Sequence, residues 1–195
     1  EYFEDDLLPI FEKKHQFSVD FVGHPLIDAI QNRTRVDKAT FLKENQLDEK
    51  PIIAVLPGSR KQEISKMLEV MLSVVSDFPD YQFVIAGAPS QEFSFYQQFL
   101  KGQNIKFLSN KTYDLLSNST AALVTSGTAT LETALFKVPE VVCYKGGYIS
   151  YQIAKRIITL KYISLVNLIM DDEVVTELIQ DKCNTANLKI ELNKL

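Results

Sequence analysis

Short apolar runs alternate with amphipathic segments along the 195-residue chain. The runs are 19–23 (VDFVG), 51–56 (PIIAVL), 81–87 (YQFVIAG), 104–108 (NIKFL), 121–124 (AALV) and 140–144 (EVVCY). Each is rich in β-branched or aromatic residues and is bounded by turn residues, which predicts strands. Between them the apolar positions fall at helical spacing. Ile64, Met67, Leu68, Met71, Leu72 and Val75 make one stripe and predict the strongest helix. Its start reads as a capping box of Ser59 and Gln62, and its end as Phe78-Pro79. Further helices are expected at 91–100, 111–117, 128–137 and 150–159, and the chain from Asp171 onward reads as helical.

Strand and helix alternating at this spacing predict an α/β fold: a Rossmann-like parallel sheet with helices on both faces. The polar stretch 31–37 reads as a hinge or linker.

Composition narrows the class. Apolar residues at 46% suffice for a substantial core, and a net charge of −4 argues against a general nucleic-acid binder while allowing a local cationic pocket. The two cysteines, Cys143 and Cys183, are far apart, and no Cys/His metal spacing occurs. A reducing compartment fits, and a zinc site does not. No apolar run reaches the length of a membrane span. The chain begins at Glu1 inside an acidic, helix-like stretch, which reads as a piece of a longer protein.

Ligands of open α/β sheets bind beyond the carboxyl ends of the strands, so the loops there carry the candidate chemistry. In 56–63 (LPGSRKQE), Gly58 lets the backbone turn and approach a ligand, and Ser59 opens a helix. Arg60 stands where the helix dipole disfavours a cation. It serves either an anion held between the two or nothing but a solvated surface. In 125–132 (TSGTATLE), Ser126, Gly127 and Thr128 are small enough for a phosphate to reach backbone N–H groups. Glu132 shares a helix face with Thr128, about 6 Å further along, where a carboxylate can accept from a ribose diol. The other reading is a small-residue helix packed on the sheet. No P-loop, G-x-G-x-x-G, G-x-S-x-G or D-x-D motif occurs. A metal-free diphosphate site would need protein cations, and Arg60 and Lys145 are the candidates. His24, after the first strand, reads as structural or as a substrate contact.

The ordered set FVGHPLID (21–28), LPGSRKQEI (56–64), SGTATLETAL (126–135), VPEVVCYK (138–145), AKR (154–156), YISLVNLI (162–169) and ELIQ (177–180) resembles lipid-A-disaccharide synthase, a family of GT-B glycosyltransferases. The resemblance implies a UDP-sugar-binding half of a GT-B fold, over residues 31–195, with residues 1–30 as the end of an amino-terminal domain and the crossing between domains. It implies an inverting hexosyltransferase, with no cofactor and no metal, that moves 2,3-diacylglucosamine from UDP to 2,3-diacylglucosamine 1-phosphate. The product is a β-1,6 disaccharide, the core of lipid A. Arg60 is then catalytic. Gly58, Ser59, Arg60, Ser126, Gly127, Thr128, Glu132, Lys145 and Asn167 hold the UDP-sugar, and the general base lies in the absent domain. Val166 stands where many relatives have proline, so only the polar role of Asn167 carries over; otherwise Asn167 is a helix cap. The implied partners are the two acylated substrates, the amino-terminal domain and the inner-membrane surface, with no nucleic acid. The implied location is the cytoplasmic face of the inner membrane of a Gram-negative bacterium. The segment 148–162, with Lys155, Arg156 and Lys161, suits an anionic interface or an amphipathic helix on the sheet. A UDP-sugar epimerase of the same architecture and a non-catalytic nucleotide-sugar binding module remain as alternatives.

Overall fold

The computed structural model describes residues 16, 18, 23–147 and 161–195. The expected strand at 19–23, all but Gly23, and the expected helix at 150–159 lie outside them, as do AKR and most of 148–162. The chain divides into two units, Glu1–Thr34 and Arg35–Leu195. In the first, α1 (Pro25–Gln31) starts at a proline, and the ring Nδ1 of His24 caps it by accepting from the N–H of Leu26. That is the structural reading of His24.

The second unit is a six-stranded sheet, parallel throughout, in the order β3-β2-β1-β4-β5-β6. The strands are β1 (Ile52–Leu56), β2 (Gln82–Gly87), β3 (Lys106–Ser109), β4 (Ala121–Thr125), β5 (Glu140–Tyr144) and β6 (Thr176–Ile179). Among the described residues, the helices of this unit are α2 (Lys38–Glu44), α3 (Lys61–Leu72), α4 (Phe93–Leu100), α5 (Thr112–Ser117), α6 (Thr128–Leu135), α7 (Leu165–Met170) and α8 (Thr185–Leu192).

Alternation along the strands sorts the core into two layers. Ile53 and Val55 of β1 face one way and join Ile64, Met67, Leu68 and Met71 of α3, Tyr96 of α4 and Leu188 of α8. Ile52, Ala54 and Leu56 face the other way, onto Phe41 of α2 and Leu115 and Leu116 of α5. With both faces covered, every residue of β1, β2 and β4 is buried, which is why these strands read as continuous apolar runs. Each fully buried aliphatic side chain contributes roughly 1.5–3 kcal/mol.

Three expectations are corrected. Ser59 is not a helix cap: α3 starts at Lys61 with Arg60 as N-cap, and Glu63, not Gln62, folds back onto the loop N–H groups. The same helix ends at Leu72, followed by a separate 3-10 turn, Val75–Asp77. The region after Asp171 is not all helix, because β6 pairs there with β5 before a 3-10 turn, Gln180–Lys182, and α8.

Candidate functional site

The strand order reverses direction at β1, between β2 and β4, and a crevice opens there beyond the carboxyl ends of the strands. It has a volume of about 450 Å³. Its walls are the loop after β1 (Gly58, Ser59, Arg60), the loop after β2 (Gly87 to Pro89), and the junction of β4 with α6 (Thr125 to Ala129). Glu132 and Glu63 complete them.

The β4–α6 wall is built for close approach. Gly127 is the N-cap of α6, with φ +156 and ψ −162, a region open in practice only to glycine. A Cβ at that position would meet nothing within 4 Å, so the bare backbone faces open space rather than packed protein. The first-turn N–H groups of a helix have no intrahelical acceptors and carry the positive end of its dipole. Thr130 turns back onto the carbonyl of Gly127 with both its N–H and its hydroxyl, which tightens this turn. The Ser126 hydroxyl donates to the carbonyl of Ile163 at 2.8 Å, fixing the loop from behind. Beside it the Thr125 hydroxyl is buried with no protein hydrogen-bond partner, on a residue that lines the crevice.

One turn along α6, Glu132 reaches the same crevice, half-buried. Its Oε1 accepts a 2.9 Å hydrogen bond from the hydroxyl of Tyr113 on α5. The Tyr113 phenol is pushed up to about 12 by burial and by the Glu132 carboxylate, so it stays a donor at neutral pH.

The β1 wall differs from the sequence expectation. The N–H groups of Ser59 and Arg60 are not left for an anion: the carboxylate of Glu63 accepts from them at 3.3 and 3.2 Å. Gly58, at φ +101, is required both by its backbone conformation and by Glu63, whose Oε2 would lie 2.8 Å from an added Cβ. Arg60 extends from this loop with its side chain 83% exposed, 3.7 Å from Glu63 Oε1. Its guanidinium is therefore the cationic contribution of this wall.

Gly58, Ser59, Arg60, Ser126, Gly127, Thr128 and Glu132 thus meet around one crevice. Two expected site residues do not. Lys145 follows β5 and does not line it. Its charge acts on Glu69 of α3, which is held below the usual carboxyl range first by Lys101 and then by Lys145. Asn167 is fully buried and spends its amide inside the protein. Its Oδ1 accepts from the N–H groups of Val174 and Val175, and its Nδ2 donates to the Val175 carbonyl and to Glu177. It is not the cap of α7 either; Ser164 is, accepting from the N–H of Asn167. Thr125, Glu63 and the β2 loop line the crevice without having been singled out as site residues in the sequence. Among the described residues, no group of three or more His, Cys, Asp or Glu side chains could hold a metal ion, and no helix is long and apolar enough to cross a membrane.

A family profile described as lipid-A-disaccharide synthetase matches residues 3–195. Lipid-A-disaccharide synthase of Haemophilus ducreyi is 36% identical over 190 residues, covering 91% of this chain and 47% of that protein. The synthase of Idiomarina loihiensis is 36% identical over 204 residues, with coverages of 97% and 52%. The chain spans about half the length of the curated relatives it matches. Among solved structures, the crystal structure of TarM superposes with a TM-score of 0.50 at 15% identity, over 83% of this chain and 35% of TarM. At that identity the likeness is one of fold, and it agrees with the Rossmann-like half of a GT-B architecture.

Proposed function

The chain belongs to the lipid-A-disaccharide synthetase family, and from that premise we propose that residues 31–195 form the donor-binding half of an inverting glycosyltransferase whose crevice holds a UDP-sugar. The observation that carries the reading is the pairing, on one wall, of an uncovered helix start at Gly127 to Ala129 with a carboxylate one turn further on, at Glu132. Bare N–H groups suit phosphate, and a carboxylate suits a vicinal diol. A nucleoside diphosphate presents the two in that order.

The chemistry follows from where charge grows. An acceptor hydroxyl displaces UDP at the anomeric carbon, and negative charge accumulates on the leaving diphosphate. The first turn of α6 offers fixed donors to that charge, and the Arg60 guanidinium is a mobile cation beside it. Arg60 is 83% exposed and only loosely paired with Glu63, so it is free to turn toward a phosphate. In this reading the donor sugar is 2,3-diacylglucosamine, the acceptor is 2,3-diacylglucosamine 1-phosphate and the product is the β-1,6 disaccharide. The base that deprotonates the acceptor lies in the other half of the protein, residues 1–30 lead into that half, and the acylated substrates bring the enzyme to the cytoplasmic face of the inner membrane.

Calorimetric titration tests the reading. UDP is expected to bind the chain, with Glu132→Ala and Arg60→Ala each weakening it by about tenfold, as loss of one charge-assisted hydrogen bond does. UMP, lacking the β-phosphate, is expected to be less sensitive to Arg60→Ala. If UDP does not bind, or binds both variants as well as the unaltered chain, the crevice is not a UDP site.

A further inference from the structure

Tyr113 stands on α5, outside every motif that marks the crevice, yet it touches the one carboxylate assigned to the sugar of the nucleotide. We propose that Tyr113 is a positioning residue: its hydroxyl, donating to Glu132 Oε1 at 2.9 Å, holds that carboxylate in the orientation in which it accepts both hydroxyls of a ribose diol. The proposal rests on the reading of the crevice as a UDP site.

A glutamate on a half-exposed helix face is free to rotate about three bonds, and ordering it on binding costs up to about 2 kcal/mol. Tyr113 removes much of that cost before the ligand arrives. The carboxylate has about four acceptor positions, of which Tyr113 occupies one, on Oε1, while the residue lines the crevice. A neutral donor suits the task better than a lysine, because it fixes the carboxylate without cancelling its charge. The donor cannot be lost near neutral pH, since burial and the Glu132 carboxylate push the phenol up to about 12. The ring is itself fixed: it lies 5.3 Å from the ring of Phe136, at 48°. Phe136 is the C-cap of the helix that carries Glu132. Tyr113 therefore grips α6 at two points, one polar and one apolar, and Tyr113→Phe removes only the polar one.

That substitution permits a test that separates positioning from structure. The unaltered chain is expected to bind UDP about tenfold more tightly than 2′-deoxy-UDP, the margin of a charge-assisted hydrogen bond. In Tyr113→Phe the preference is expected to shrink to within about twofold, with binding of inorganic pyrophosphate unchanged because the start of α6 is intact. A variant that keeps the full preference overturns the proposal. A variant that loses affinity for both nucleotides and for pyrophosphate alike overturns it too, since the role is then structural. If the unaltered chain binds no UDP, the reading of the crevice fails first and takes the proposal with it. If it binds UDP and 2′-deoxy-UDP equally well, only the assignment of Glu132 and Tyr113 to the ribose fails.

Discussion

Glu63 and Glu132 line the same crevice and do opposite things. Glu63 spends its carboxylate on the N–H groups of Ser59 and Arg60. It closes the loop after β1, which makes that loop a rigid mount for Arg60 rather than an open anion cradle. Glu132 accepts from Tyr113 through one oxygen, and the residue lines the crevice. The motif PGSR shows in sequence that a turn and a cation meet at a strand end, but the glutamate that fills the turn lies three residues past the arginine. Its role emerges only once the helix start shifts from Ser59 to Arg60. A third glutamate has no role in the site. Glu140 opens β5 opposite Ala122 of β4, is 2% exposed and has no partner for either oxygen. Burial raises its carboxyl to about 9. Below about pH 4.5 the group is protonated both folded and unfolded. As pH rises the unfolded chain releases the proton first, so stability is progressively lost until the folded group also ionises near 9. By pH 7 the cost amounts to roughly 3 kcal/mol. Denaturant melts of Glu140→Gln against the unaltered chain are expected to diverge across this range in favour of the variant. Parallel pH profiles would show that Glu140 is not a buried neutral acid.

At the level of elements, a partly buried polar relay ties β6 and α7 to the site. Glu177 of β6 accepts from the N–H groups of Ile163 and Ser164, from the Ser164 hydroxyl and from Asn167. The Ile163 carbonyl in turn accepts from Ser126 at the start of the crevice wall. Asn167 thus supports the loop of the site from inside the protein. Asn167→Ala takes the side-chain acceptor from the Val175 N–H, whereas the Val174 N–H keeps the Asp172 carbonyl, and it is expected to lower unfolding free energy by roughly 1–3 kcal/mol in urea. It should leave the ratio of UDP-sugar to UDP affinity unchanged, whereas a direct contact with the donor sugar would shift that ratio. The sequence shows Asn167 only as a polar residue near a turn, and its partners lie 7–10 residues downstream on an element that reads as helix. β6 is short, with Leu178 alone fully buried, so it lacks the apolar run that makes β1, β2 and β4 legible. Those three strands, and α3 with its stripe of Ile64, Met67, Leu68 and Met71, are legible because both faces of the sheet are covered. Tyr113 is invisible for the opposite reason: it joins Glu132 from 19 residues away, and no periodicity or spacing encodes that meeting.

For the whole molecule, the mild net charge of −4 is compatible with a site whose positive character is local, supplied by the α6 helix start and Arg60. The curated relatives are about twice as long as this chain, and under the proposed function the donor grip lies here and the acceptor site and base in the other half. The isolated chain is accordingly expected to bind UDP but to form no disaccharide from donor and acceptor, as followed by UDP release. Turnover by the chain alone would contradict the placement of the base. The most direct test of the central claim is a crystal structure of the chain with UDP. The expected result places oxygens of the diphosphate about 3 Å from the first-turn N–H groups of α6, with the ribose hydroxyls on Glu132 and Arg60 turned toward the β-phosphate. UDP held elsewhere, for instance in the hollow between Lys38 and Leu47 on α2 and its following loop, or with its ribose turned away from Glu132, would contradict it.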